Sequence, residues 1–219
     1  MATSRAPIGV LLSGGLDSAI LVHRLLAAGA RVWPVYLRCG LSWETAELYW
    51  LTRFLRAVRA PRLAPLLVID VPLRSTYGSH WSVTGRHVPD ATSEDRAVYL
   101  PGRNVLLLSH AAVAAMQRRV HTLAIGTLKG NPFRDASPHF FTHLAACLTQ
   151  ALGVTIRIHA PLRRLTKPQL IRAASEIPLQ LTFSCLQPRG YRHCGRCNKC
   201  AERRRAFREA CVLDPTRYV

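Results

Sequence analysis

Apolar positions along the chain change their spacing at regular intervals. Residues 8–12, Ile-Gly-Val-Leu-Leu, form a short unbroken apolar run that suits a strand buried on both faces. From Leu16 the apolar positions fall at helical spacing as far as Ala28, where Gly29 reads as a C-cap. Residues 31–37 read as a second strand, and strand, helix, strand implies a right-handed parallel crossover. Leu48, Leu51, Phe54, Leu55 and Val58 place a surface helix over 44–59, and a third strand follows at 66–71. The stretch 72–99, rich in Gly, Ser, Thr and Pro, shows no period and reads equally as a lid or substrate loop and as a disordered insertion. A long helix then runs to Met116 with Arg103 and Asn104 at its start. Strands at 122–127 and 154–159 alternate with helices at 140–152 and 166–175. This order predicts an α/β fold, a parallel sheet with helices on both faces. Ligands in such sheets bind beyond the carboxyl ends of the strands, which directs attention to 36–43 and 128–138.

The first strand-to-helix turn carries chemistry. Ser13-Gly14-Gly15-Leu16-Asp17-Ser18 offers glycines for close backbone approach, two hydroxyls, and the open amides of a new helix, all suited to a polyphosphate. No Gly-Lys-Ser/Thr follows it, and no third glycine stands at the dinucleotide offset. Arg103 beside a helix start can clamp a phosphate or carboxylate, and Asn104 can cap the helix or orient a substrate.

Composition narrows the setting. With 219 residues, 49% of them hydrophobic, the chain can bury one large core, and it holds no apolar run of the roughly 18 residues a membrane span needs. With no secretory signal pattern at the N-terminus, a cytoplasmic protein is expected. The excess of 30 Lys and Arg over 12 Asp and Glu, net +18, attracts anions: nucleotides, nucleic acid or an acidic partner. Because Arg is scattered and not blocked together, nucleic-acid binding ranks behind nucleotide binding. Four of the seven cysteines crowd the tail as Cys185-x8-Cys194-x2-Cys197-x2-Cys200, a spacing that suits a closed tetrahedral zinc site and, less well, an iron–sulfur cluster. His193 reads as a neighbour of that site. Cys147 and Cys211 read as small buried apolar residues, and Cys39, beyond the second strand, is left open between packing and chemistry.

Taken together, the phosphate loop, Tyr99-Leu100-Pro101-Gly102-Arg103-Asn104, Gly126-Thr127, the helix opening at Lys167, Phe183-Ser184-Cys185 and the three later cysteines resemble the 7-cyano-7-deazaguanine synthase (QueC) family of the ATP pyrophosphatase (PP-loop) superfamily. The blocks occur in family order across nearly the whole chain. The resemblance implies a PP-loop domain over 1–182 with an adenine nucleotide alpha hydrolase-like sheet, and a zinc-binding segment over 183–219 held by Cys185, Cys194, Cys197 and Cys200. It implies ATP with Mg²⁺ on Ser13, Gly14, Gly15, Asp17 and Ser18, with Leu12, Leu16, Tyr36 and Gly126 bordering the nucleotide. Asp17 would serve catalysis through Mg²⁺, Arg103 and Lys167 would neutralise charge during catalysis, and Asn104 and Asp135 would contact a deazapurine. The implied reaction adenylates the carboxylate of 7-carboxy-7-deazaguanine and uses ammonia to form the nitrile. The chain departs from the family pattern at 36–43 and 128–138, where only Asp135, Pro138 and Phe140 match readily in the second segment. That leaves open an amide product or conjugation to another molecule such as a protein terminus. A tRNA-modifying superfamily member and a non-catalytic nucleotide-binding partner are the other readings, and a homodimer is compatible with this size class.

Overall fold

In the computed structural model, which describes residues 6–219, the elements follow the order β1 (Ile8–Leu11), α1 (Leu16–Ala27), β2 (Val32–Arg38), α2 (Glu44–Ala57) and β3 (Leu67–Asp70). Two single-turn helices come next, α3 (Arg74–Tyr77) and α4 (Trp81–Thr84), and then α5 (Arg103–Met116), β4 (Thr122–Ala124), α6 (Pro138–Leu152), β5 (Arg157–His159), α7 (Lys167–Arg172) and α8 (Asn198–Ala210). The five strands form one parallel sheet in the order β3-β2-β1-β4-β5. Strand order reverses between β2 and β4, on either side of the central β1, so the crevice for a ligand opens at the carboxyl end of β1.

Alternation along the strands divides the core into two layers. Leu11, Val35, Leu37 and Leu123 point toward Leu108 and Ala112 of α5 and Phe141 of α6. Val10, Leu12, Tyr36 and Ala124 point the other way, against Ile20 of α1, Phe54 of α2, Leu170 of α7 and Phe207 of α8. Because β1 is covered on both faces, its sequence is apolar throughout instead of alternating.

Element boundaries moved where side chains intervene. The sixth helix begins at Pro138, not Phe140, because Ser137 caps it by accepting from the Phe140 amide at 3.1 Å. β5 starts only at Arg157, since the Ile156 amide donates to Thr149 Oγ1 of α6 at 2.9 Å. β4 ends at Ala124, and Gly126 leaves the ladder to lie against the start of α1.

The stretch 72–99 is ordered, which overturns its reading as a disordered insertion. Leu73, Val83 and Val98 are buried in the core, and Trp81 stacks on Trp43 with centroids 5.7 Å apart. It is also tied to the cysteine tail: Asn198 donates from its amide to Pro89 O at 2.9 Å and from Nδ2 to Ser93 O at 2.8 Å. A second correction concerns Cys147 and Cys211, which are exposed and not buried. On α6 the inward line is Phe141 and Leu148, so Cys147 faces outward, while Cys211 is the left-handed residue that ends α8. Cys39 is buried, its thiol 3.5 Å from Leu37 O. Among the described residues, no helix is long and apolar enough to cross a membrane.

Candidate nucleotide site and metal centre

The turn from β1 into α1 is shaped by what surrounds it. Gly14 sits at φ +70°, and a Cβ there would lie 3.3 Å from the Glu47 carbonyl oxygen and 3.4 Å from Leu51 Cβ, so α2 packs directly beneath the loop. Ser18 Oγ donates to Gly15 O at 3.1 Å and accepts the Ser13 amide at 3.4 Å, folding the loop on itself. No side chain caps α1, so its first amides are left for an anion. Gly126 comes from the end of β4, and a Cβ there would lie 3.2 Å from both the Asp17 carbonyl carbon and the Ser18 nitrogen.

Around this loop opens a cavity of about 430 Å³. Leu12, Ser13, Gly15, Asp17, Ser18 and Tyr36 form its floor, and Arg103, Asn104, Gly126, Asp135 and Lys167 stand around it. Tyr99 and Phe133, stacked at 5.1 Å, form one wall. Gly14 lies under the loop and Leu16 turns into the core, 3% exposed, so these two shape the cavity without lining it. Among the described residues, three buried polar atoms on the lining have no hydrogen-bond partner: Asp17 Oδ1, Arg103 Nε and Thr127 Oγ1. Buried polar atoms are almost always paired, so three orphans around one cavity mark a place that a polar ligand completes.

Charges at the site form a relay into the tail. Lys167 Nζ lies 3.4 Å from Asp17 Oδ2 and pairs with Glu202, whose other oxygen takes Lys199 Nζ at 2.6 Å. Burial alone would lower the Lys167 pKa, but Asp17 and Glu202 outweigh it and hold the ammonium protonated. Burial likewise disfavours the charged form of Glu202, yet Lys167 and Lys199 keep its carboxyl well below the usual range. For Asp17 burial prevails over Lys167, and the carboxyl is raised.

Asn104 and Asp135 hold each other. The Asn104 amide donates to Asp135 Oδ2 at 3.0 Å, and Asn104 Nδ2 donates to Asp135 O at 2.8 Å. Since the residue before α5, Gly102, offers no side chain, Asp135 caps the helix from the following loop. Several lining residues escaped sequence reasoning. Lys199 and Glu202 belong to no motif in the sequence, and Thr127 reads there as the end of a strand. Glu47, buried at 8% exposure with Tyr36 Oη donating to its Oε1 at 3.0 Å, sits on the helix read from the sequence as a surface helix, and nothing local in that helix marks it.

The four tail cysteines converge. Their Sγ atoms all lie within 4.8 Å of one another, and all four residues are buried. A zinc ion with four thiolates at about 2.3 Å needs sulfurs about 3.8 Å apart, so small rotations close the cage on one tetrahedral ion. Backbone amides of Leu186, Gln187, Cys194 and Arg196 point at the sulfurs from 3.3–3.5 Å, which favours thiolates. His193 is a neighbour and no ligand: its Nε2 accepts the Ser184 amide at 3.1 Å, and burial, then Arg203, push its pKa down to about 3.

A parallel sheet with a Ser-Gly-Gly-x-Asp-Ser loop at the carboxyl end of its central strand defines the PP-loop class of adenine-nucleotide-binding proteins. The same fold is seen in a 4-thiouridine synthetase–RNA complex with bound ATP (TM-score 0.54, 15% identity, 94% of this chain and 50% of that one). It is seen too in a predicted subunit of tRNA methyltransferase from Methanocaldococcus jannaschii (TM-score 0.51, 17% identity, 78% and 75%). The family model described as queuosine biosynthesis protein QueC matches residues 8–211, and the chain belongs to that family. Among curated relatives, a 7-cyano-7-deazaguanine synthase from Anaeromyxobacter dehalogenans is 35% identical over 95% of this chain and 94% of its own length.

Proposed function

We propose that this protein is an ATP-dependent carbon–nitrogen ligase that converts 7-carboxy-7-deazaguanine and ammonia into 7-cyano-7-deazaguanine. The substrate and product follow the relatives named 7-cyano-7-deazaguanine synthase. The observation that carries the reading is the set of orphaned polar atoms, Asp17 Oδ1, Arg103 Nε and Thr127 Oγ1, around one cavity at the phosphate loop.

A carboxylate is a poor electrophile, so its oxygen attacks the α-phosphorus of ATP and pyrophosphate leaves. Ammonia then attacks the acyl carbon, AMP departs with the C–O electron pair, and the nitrogen sheds a proton to leave an amide. The amide oxygen then attacks the α-phosphorus of a second ATP, pyrophosphate leaves and the nitrogen loses one proton; AMP departs with the C–O electron pair as the second N–H proton is lost, giving the nitrile. The α1 amides and Ser13 and Ser18 hold the phosphates, while Arg103 and Lys167 oppose the charge that builds at phosphorus. Asp17 Oδ1 is the oxygen free to receive Mg²⁺, which supplies further charge neutralisation at the phosphates. Asn104, held by Asp135, lines the deazapurine end. Zn²⁺ in the cage of Cys185, Cys194, Cys197 and Cys200 would have all four positions filled by sulfur, so its part is structural.

The direct test measures AMP and pyrophosphate release with each component left out. Release that needs ATP, Mg²⁺, the carboxylate and ammonia together is the expected result. Release unchanged without 7-carboxy-7-deazaguanine, or stimulated only by RNA, contradicts it.

A further inference from the structure

Glu47 is a buried acid of the cavity that neither the charge relay nor the Asn104–Asp135 pair uses. It lies at the cavity wall, on the face of α2 beneath the loop, and among the described residues it forms no ion pair. Its neighbour Glu44 is also buried, but that carboxylate is committed to the backbone, accepting the Cys39 amide at 2.6 Å and the Gly40 amide at 2.7 Å. Glu47 keeps only the Tyr36 hydroxyl at 3.0 Å and the steadying Trp43 side chain. A buried carboxylate with no direct ion pair, on which Arg103 acts only at longer range, calls for a functional account in a chain of net +18.

Its position suggests one. Beside the main cavity lies a second recess of about 180 Å³, and the two share Ser13, Asp17, Glu47 and Arg103. Trp43, Phe183 and Leu186 give the recess an apolar wall, and the space is ample for a small nucleophile. The charged groups facing it are Arg103 from α5, Lys167 from α7, and Lys199, Glu202 and Arg203 from α8, together with Asp17 from α1. Cations outnumber acids in that set, which destabilises the charged form of an ammonium ion that enters and favours its loss of a proton. The nitrogen donor, however, is chiefly ammonium at neutral pH, and ammonium has no lone pair with which to attack.

We propose that Glu47 is the base that deprotonates ammonium in this recess and releases ammonia toward the acyl-adenylate. The inference rests on the synthase reading above. The proton moves from NH₄⁺ to the Glu47 carboxylate. The freed lone pair forms the C–N bond as the C–O bond to AMP breaks, and the second proton of the condensation leaves to solvent. Burial raises the Glu47 carboxyl to about 7, against the opposing pull of Arg103 and of the Tyr36 hydrogen bond, so it can accept and return a proton near neutral pH.

The test compares nucleophiles in Glu47→Gln. Hydroxylamine is mostly unprotonated at neutral pH and needs no base. In E47Q, AMP release driven by ammonium chloride should fall about 100-fold, while release driven by hydroxylamine falls far less. Carboxylate-dependent pyrophosphate exchange should stay measurable, which shows that the variant folds and adenylates. Should E47Q fail to fold, E47D, with its acid one methylene further back, should show the same selective loss in milder form. Equal losses with both nucleophiles, or an undiminished ammonium rate, overturn the role of Glu47 while leaving the synthase reading intact. Absence of carboxylate-dependent exchange in the native protein overturns the synthase reading, and Glu47's role with it.

Discussion

At the scale of single residues, Asp17, partly buried, and Glu47, buried, are both acids with raised pKa values, but their surroundings set different consequences. Asp17 shares Lys167 with Glu202, so Asp17→Asn leaves the lysine still paired. Asp17→Asn should therefore abolish ATP turnover with little change in melting temperature, read by AMP release and calorimetry on the same sample. Glu47 has no such partner, and its ionisation in the fold is opposed by burial. Because its folded pKa lies near 7, above the ordinary 4.5, its favourable contribution to stability is present below pH 4.5 and lost as pH rises through 7. Glu47→Gln removes that loss: relative to the native protein it should gain about 2.5 kcal/mol between pH 5 and pH 8, measured by urea unfolding at both values. A gap that does not grow with pH contradicts the buried, poised carboxyl. Neither acid's environment could be read locally. Asp17 was found through the loop motif around it, whereas Glu47 sits in a helix whose polar face looked solvated and whose burial depends on the phosphate loop lying over it.

Among the elements, α5 depends on a cap from outside itself. Gly102 contributes no side chain, and Asp135 reaches the Asn104 amide across 31 positions of chain. Asp135→Ala should cost about 1 kcal/mol of stability, as the loss of an N-cap does. It should also weaken ATP-dependent turnover by loosening Arg103 beside it, an effect that a steady-state comparison with Asp135→Asn would resolve. β4 and α1 meet with no space to spare, so Gly126→Ala should cost about 1–3 kcal/mol through overpacking and raise the KM for ATP, since the backbone of Asp17 and Ser18 must shift to admit the methyl. The strands, their parallel order and the longer helices were legible because period and burial coincide in them. The stretch 72–99 was not. Its order comes from Asn198 and from Trp43 stacking, contacts with distant segments that leave no period in its own sequence. Cys147 shows the converse failure, where a residue type usually found inside lies one position off the buried line of its helix.

For the whole molecule, the cysteine tail is part of the nucleotide site and not an appendage to it. α8 starts at Cys197 and Cys200 and carries Lys199 and Glu202 into the cavity, while Arg203, 1% exposed, ties it to Thr182, Leu179 and Thr216. Stripping the metal with a thiol-reactive mercurial, with Mg²⁺ kept constant, should release one zinc per chain and weaken ATP binding by calorimetry. Undiminished ATP affinity after zinc loss would contradict that coupling. The net charge of +18 is spread over this frame and favours capture of anionic nucleotide and carboxylate alike.

The central claim is that the phosphate loop activates a deazapurine carboxylate for attack by ammonia. Mass spectrometry of the product formed from 7-carboxy-7-deazaguanine, Mg-ATP and ¹⁵N-labelled ammonium tests it most directly. The account predicts 7-cyano-7-deazaguanine carrying one ¹⁵N, with AMP and pyrophosphate as coproducts. Unaltered 7-carboxy-7-deazaguanine, an amide that accumulates without further conversion, or ADP in place of AMP would contradict it.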